Sequence, residues 1–234
     1  METVDVFIQA ATRFYTQQME DENGRYRSWE YCYLSFNKAR NSESVDVDYL
    51  CLQLAFYLAS WGMYRGSSFL LQKDYKIHIP VVKEILKKKY NPLFAIDCVE
   101  LKKESIQLLL KELNDFISNY YDNIRRSVKE QELKSPLSFT LITKILMGTM
   151  GCVPAYDRYF IDGIKKQKVA AGSYSKNSLH MLVDFYESNF EKLEKVRMTL
   201  NVSGLLYPQM KLIDMGFWQL GFDADENKGY KMAH

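Results

Sequence analysis

A single aspartate follows an apolar segment and a turn in residues 141–160 (LITKILMGTMGCVPAYDRYF). Gly148 and Gly151 are expected to end one helix and Pro154 to begin the next, because glycine favours the position after a helix and proline its first turn. Asp157 would then lie in the first turn of the second helix, where the macrodipole and free backbone N–H groups favour a carboxylate. Such a carboxylate either acts as an acid or base in a cleft or caps its helix, and the sequence leaves both interpretations open.

Tryptophan, tyrosine and arginine are concentrated in two earlier stretches, residues 25–33 (RYRSWEYCY) and 60–68 (SWGMYRGSS). These residue types dominate ligand pockets and interaction hot spots. Gly62 and Gly66 flank Arg65, which predicts a helix end with an arginine available for a phosphate or a carboxylate. The alternative is a core tryptophan, with the arginine bonded to carbonyls at the helix end. The candidate substrate-binding residues are Arg27, Trp29, Glu30, Trp61, Tyr64, Arg65 and Tyr156.

Basic residues are frequent directly after the aspartate, in residues 158–176, where Asp162 is the only acidic residue. Because the whole chain carries a formal charge of only +2, a nucleic-acid partner must be met by such a local patch. The alternative is a solvated helix face. The candidate nucleic-acid-binding residues are Lys144, Arg158, Lys165, Lys166 and Lys168.

Cysteine and histidine are placed where neither metal binding nor nucleophilic catalysis is expected. The cysteines stand far apart, two histidines are isolated and the third is terminal. These spacings match neither a zinc site nor a catalytic dyad, so we expect no metal and no cofactor. The residues are Cys32, Cys51, Cys98, Cys152, His78, His180 and His234.

Helical periodicity dominates the chain, and no alternating strand pattern is apparent. A long amphipathic helix is expected over residues 103–129, a helix with Pro80 in its first turn over 79–90, and a last helix over 208–220. Ser28 is expected to cap a helix that begins at Trp29. The pattern predicts an all-α globular fold of eight to ten helices in one domain over residues 1–222, or in lobes 1–130 and 131–222, with a flexible tail at 223–234.

Composition limits the class of protein. The 234 residues are 47% hydrophobic, which is enough for a sizeable core. The N-terminus lacks the basic and apolar regions of a secretory signal, and no run approaches the ~18 apolar residues of a membrane span. We therefore expect a cytoplasmic protein without a membrane partner, while the oligomeric state stays open.

The segment around the aspartate resembles the endonuclease III branch of the helix-hairpin-helix DNA glycosylases. The similar residues are 143–148 (TKILMG), 151–154 (GCVP), Asp157, Tyr159 and Phe160. The resemblance implies an all-helical fold with two interleaved lobes, and it makes Asp157 the acid/base residue that positions water and stabilises an oxocarbenium-like sugar. It also implies that the target base leaves the duplex for an aromatic pocket. Leu141 falls near the position of the Schiff-base lysine of bifunctional members, and Lys144 lies one turn later, so a monofunctional enzyme is implied.

Three functional hypotheses follow. The leading one is a monofunctional DNA glycosylase with DNA as its partner. The main rival is a non-enzymatic helical binding protein in which tryptophan, tyrosine and arginine form a pocket, and the third is an RNA-directed enzyme or toxin that uses the same basic face. The two N-terminal stretches also look similar to ones in uncharacterised bacterial proteins, which favours a bacterial origin and supplies no activity.

Overall fold

Helices make up nearly all of the regular structure in the computed structural model, which describes residues 2–129, 136–202 and 204–225. A short antiparallel hairpin pairs Asn201 with Leu206 and Val202 with Leu205. The all-α multi-helix fold expected from the sequence is therefore confirmed. The elements are α1 (Thr3–Glu20), α2 (Ser28–Arg40), α3 (Val47–Ser60), α4 (Ile79–Ile85), α5 (Glu104–Lys129), α6 (Phe139–Thr149), α7 (Arg158–Lys166), α8 (Lys176–Ser188), α9 (Phe190–Arg197), β1 (Asn201–Val202), β2 (Leu205–Leu206) and α10 (Gln209–Asp223).

Helix α10 lies in the centre of the fold. Each residue from Gln209 to Gln219 is buried, as expected of a helix surrounded by others. Its closest neighbour is α7, and glycines bring the two backbones into contact. A Cβ added at Gly163 would lie 1.9 Å from the carbonyl oxygen of Phe217, and one at Gly221 would lie 1.9 Å from that of Tyr159. The position of α7, and of the residue that precedes it, is thus set by α10.

The helices α3 and α6 both end at a glycine in the left-handed conformation. Gly62 has φ +78° and donates its N–H to the carbonyl of Ala59 at 2.9 Å. Gly151 has φ +65° and donates to the carbonyl of Leu146 at 3.0 Å. Residues with a Cβ rarely adopt this conformation, so glycine allows each chain to leave its helix sharply. The helix end expected near Gly62 and Arg65 is confirmed.

The element boundaries confirm some predictions and correct others. Helix α5 begins one residue after the expected start and ends at Lys129 as expected. Helix α4 ends at Ile85 instead of residue 90, and the chain continues as a 3-10 turn in which the Tyr90 hydroxyl folds back to donate to Glu84. Ser28 does not cap α2, because a 3-10 turn runs directly into the helix and leaves Ser28 itself helical. The Ser28 hydroxyl has no partner in the described part of the chain.

The last helix ends three residues after the expected end at residue 220. Helix α10 continues through Asp223, which pairs with Arg13, and Asp225 accepts from Arg158 at 2.7 Å. The rest of the expected tail, and the expected lobe boundary at residues 130 and 131, lie outside the described residues. Within those residues, no helix combines the length and apolar character needed to cross a bilayer.

Candidate functional site

A buried segment without regular secondary structure, residues 152–156, leads to Asp157 at the start of α7. Its backbone bonds to side chains from two helices: Ala155 donates its N–H to Asp214 of α10 at 2.9 Å, and Tyr156 donates to the Thr143 hydroxyl of α6 at 2.9 Å. These bonds replace the helix that was expected to begin at Pro154. Helix α7 instead begins at Arg158, so Asp157 is its N-cap and does not lie within its first turn.

The two carboxylate oxygens of Asp157 have different partners. Oδ1 accepts the backbone N–H of Phe160 at 3.1 Å, which is the N-cap bond. Oδ2 lies 3.0 Å from Nζ of Lys144, which also donates to the carbonyl of Trp61 at 2.9 Å. The Lys144 side chain is 4% exposed and that of Asp157 is 15% exposed. Asp157 is therefore both a helix cap and half of a nearly buried ion pair.

This ion pair lies in the wall of a cleft of about 770 Å³ that is also lined by Trp61 and Arg65. The cleft joins elements distant in sequence, because α3 supplies its C-terminal turn, α6 supplies Lys144, and α7 supplies its N-terminus. Helix α6 approaches α3 closely, since a Cβ at Gly148 would lie 2.3 Å from the ring of Tyr57. Two candidate regions of the sequence, the one around Arg65 and the one around Asp157, thus form one site.

Arginines give the cleft a positive rim. Arg25 donates to the Tyr26 hydroxyl at 2.7 Å, and Arg158 pairs with Asp225. Arg65 is exposed, and in the described ranges its guanidinium has no carboxylate or hydrogen-bond partner. An arginine fork without a partner suits a planar anion such as a phosphate or a carboxylate.

Aromatic rings form much of the remaining wall. The ring centroid of Trp61 lies 4.8 Å from that of Tyr26 and 5.9 Å from that of Trp218. Trp218 in turn contacts Tyr159 at 5.3 Å. The indole N–H groups of Trp61 and Trp218 are buried, and neither has a hydrogen-bond partner among the described residues. Rings of this kind offer stacking surfaces for a planar ligand.

A second buried ion pair lies behind the aromatic wall. Lys211 Nζ is 3.2 Å from Asp214 Oδ2 and lies 4.6 Å from the ring centroid of Trp29 and 5.3 Å from that of Trp61. Burial lowers the pKa of Lys211 and raises the pKa of Asp214, because each charged form loses its hydration. Asp214 also holds the segment that leads to Asp157, so this pair connects the aromatic wall to the candidate acid/base residue.

Three of the other predicted substrate-binding residues lie in the interior. Trp29 is 1% exposed and donates its indole N–H to Met147, while Tyr156 is 2% exposed and bonds Ser178. Glu30 is fully buried and accepts from the Tyr207 hydroxyl, and its other oxygen is 3.3 Å from Arg27 Nε. These residues support the wall from behind without lining the cleft.

Tyr64 and Arg27 complete that predicted set and also lie away from the cleft wall. Tyr64 forms a 2.7 Å hydrogen bond with Nε2 of buried His78. Arg27 is held by Glu30. Of the seven residues predicted to bind substrate, the structure brings Trp61 and Arg65 to the cleft that contains Asp157.

The predicted nucleic-acid-binding residues divide into two groups. Lys144 and Arg158 line the cleft, although Lys144 is almost fully buried by its ion pair. Lys165, Lys166 and Lys168 are exposed at the far end of α7, outside the cleft. A nine-residue helix rises about 13 Å. These three lysines therefore lie farther from Asp157 than the spacing between neighbouring phosphates of a DNA strand.

Sequence reasoning did not select Lys211, Trp218, Arg25 or Tyr26 as site residues. Arg25 and Tyr26 belong to one of the two stretches that had been recognised, whereas Trp218 lies in the last predicted helix, outside both stretches. The signal for Lys211 was available, because a cation in a helix that is largely apolar is expected to be buried with a partner. Asp214, three residues later, is that partner.

No His, Cys, Asp or Glu residues in the described ranges gather in the groups of three or more that would hold a metal ion. In comparisons with known proteins, no family model, no curated protein and no solved structure matches this chain. The functional argument therefore depends on the geometry of the cleft.

Proposed function

We propose that this protein hydrolyses the N-glycosidic bond of a nucleobase in DNA, with Asp157 as the residue that stabilises the sugar cation and accepts a proton from water. The observation that carries the proposal is the presence of the Asp157 carboxylate in a cleft that also offers stacking rings and unpaired positive charge. A developing oxocarbenium ion requires a nearby anion.

The ion pair supplies an anion next to the developing sugar cation and a proton donor for the leaving base. As the C1′–N bond breaks, its electron pair leaves with the base, and the Lys144 ammonium gives a proton to that base. Water adds to C1′ and loses a proton to Asp157. Because Asp157 Oδ2 and Lys144 Nζ are 3.0 Å apart, the proton then returns from the carboxylic acid to the amine. The products are a free base and an abasic sugar, and the enzyme returns to its starting state.

The rim of the cleft fits a polyanionic substrate. Arg65 and Arg158 are exposed beside the aromatic wall. Guanidinium groups bind phosphates in a bidentate manner, and a base that has left the helix stacks on rings. We therefore expect contacts to the DNA backbone from these arginines, with the lysines at the far end of α7 serving at most as peripheral contacts.

The test is formation of abasic sites. Purified protein is incubated with DNA that carries normal, deaminated, oxidised or alkylated bases, and abasic sites are counted by alkaline cleavage. We expect cleavage with the wild type, none with Asp157→Asn, and weaker DNA binding with Arg65→Ala. Lys165→Ala is the matched control because this lysine is outside the cleft. Equal base release by wild type and Asp157→Asn would overturn the proposal.

A non-enzymatic binding protein is the second candidate, and one observation favours it. Both oxygens of Asp157 are already bonded, one to the Phe160 N–H and one to Lys144. If Asp157 is only structural, then the cleft is a binding pocket for a planar anion. In that case Arg65→Ala abolishes binding of an anionic aromatic ligand, whereas an Asp157→Asn variant that folds binds normally.

A further inference from the structure

A second, smaller pocket of about 260 Å³ adjoins the cleft. It lies between α1, the turn that follows it, and α10. Arg25, Tyr26, Trp218 and Phe222 contribute to both cavities. A ligand in this pocket would therefore be next to any group bound in the cleft. A volume of this size accommodates one heterocyclic base.

The walls of the pocket are flat and aromatic. The rings of Trp218 and Phe222 are stacked at 4.9 Å with an interplanar angle of 12°. Tyr26 and Phe14 meet the Trp218 ring edge-on, at 5.5 and 5.6 Å. Such a set of faces and edges suits a planar ring, because π-systems prefer offset-stacked and edge-to-face contacts.

Two buried donors of the pocket wall have no acceptor in the part of the chain that the structure describes. Gln18 is 6% exposed and Trp218 is 5% exposed. The Gln18 Nε2 and Trp218 Nε1 atoms are buried, and neither has a partner within the described residues. Both are donors, and the indole N–H can only donate. A buried donor without an acceptor is costly, so a ligand that brings an acceptor is favoured over one that brings another donor.

We propose that this pocket binds the target base and selects bases that present carbonyl oxygens to Gln18 and Trp218 over those that present amino groups. This rests on the proposed function, since the base held here is the one released from the sugar in the cleft. Uracil and hypoxanthine belong to the favoured class. Cytosine and adenine differ from them by an amino group in place of a carbonyl, and that group would oppose a donor with another donor.

The test is titration calorimetry of the full chain with the four free bases, which needs no catalysis. We expect uracil and hypoxanthine to bind about tenfold more tightly than cytosine and adenine. Gln18→Met keeps the side-chain length and removes the amide. The ratio of the affinity for carbonyl bases to the affinity for amino bases should therefore fall towards one. Gln9→Met, at an exposed position of the same helix, should leave it unchanged. Trp218→Phe is the second variant, because it keeps a ring and removes the N–H.

The possible results separate the two proposals. Equal affinities for all four bases, no binding of any base, or a preference that Gln18→Met leaves unchanged would each overturn the role of the pocket. Abasic-site formation with such a result would leave the hydrolysis in place without this selectivity. A carbonyl preference in protein that forms no abasic sites would support the pocket and overturn the hydrolysis.

Discussion

The ammonium of Lys144 lies 3.0 Å from the carboxylate of Asp157, and solvent reaches little of either side chain. Lys144 also donates to the Trp61 carbonyl, so one nitrogen joins the end of α3 to the beginning of α7. Each of these two charges is stabilised by the other, because a single charge that is shielded from water and has no counter-charge is much less stable than the pair.

Removal of the Lys144 ammonium should destabilise the protein strongly. We expect Lys144→Met to lower the free energy of unfolding by about 3 kcal/mol, because the largely buried carboxylate of Asp157 would lose its counter-charge. Urea denaturation measures the change. Lys111→Met is the matched control, since Lys111 pairs with Asp115 on the surface of α5, where both side chains are more than half exposed. A similar loss in both variants would show that burial of the Lys144 pair has no special effect.

Two substitutions at Asp157 should separate its cap role from its charge. Asn retains an oxygen that accepts the Phe160 N–H, whereas Ala loses both the cap and the ion pair. We therefore expect Asp157→Ala to be less stable than Asp157→Asn by about 1 kcal/mol, and both to form no abasic sites. Thermal unfolding followed by circular dichroism gives the difference. If the two variants are equally stable, the N-cap bond does not contribute to stability.

The contact between α7 and α10 should tolerate no side chain at Gly163. An added Cβ would lie 1.9 Å from the Phe217 carbonyl oxygen, so the helices would have to separate. We expect Gly163→Ala to lower the free energy of unfolding by about 2 kcal/mol or more, although alanine favours helix formation. Asp162→Ala, at the exposed neighbouring position, is the control. An unchanged or higher stability of Gly163→Ala would contradict the observed helix contact.

The stability of the protein should fall in mild acid because of His78. Burial lowers the pKa of His78 to about 4, from 6.5 in the unfolded chain. As the pH falls below 6.5, the unfolded chain binds a proton that the native state excludes. The free energy of unfolding then decreases until the pH reaches about 4, by about 3 kcal/mol in total. His78→Gln should remove this part of the pH dependence, which urea titrations between pH 4.5 and 7.5 would show.

His180 provides the comparison for this experiment. It is only partly buried, and desolvation together with Lys176 lowers its pKa, but less than burial lowers that of His78. His180→Gln should therefore change the slope of stability against pH less than His78→Gln does. The prediction for His78 is wrong if His78→Gln and the wild type lose stability in parallel over this pH range.

The sequence predicted the class of fold and one long helix well, because these depend on local periodicity. The stripe of apolar residues along α5 is unambiguous over 26 residues. The start of α7 was predicted four residues too early, since proline at 154 favours a helix start locally. Backbone N–H groups of this segment donate to Thr143 and to Asp214, which lies 59 residues beyond Ala155, and these bonds keep the segment out of the helix. A local sequence pattern contains no information on such distant partners.

The candidate site was predictable in its parts but not in its assembly. Asp157 and Arg65 were selected by residue type and by nearby glycines. That they share a cleft depends on the close packing of α3 against α6, which places Gly148 against the ring of Tyr57. Trp29 and Trp61 could not be told apart by type, yet one is fully buried and the other lines the cleft. Aromatic residues are common both in protein cores and in ligand pockets, so residue type alone does not separate the two.

The clustering of aromatic residues around Lys211 has a practical consequence. The chain has three tryptophans; Trp61 and Trp218 line the cleft, and Trp29 lies directly behind it beside the Lys211 ammonium. The tryptophan emission of this protein, excited selectively at the red edge of the absorption band, therefore originates at or beside the cleft. A stacked ligand should quench it, and a fluorimeter can follow occupancy of the site without any attached dye.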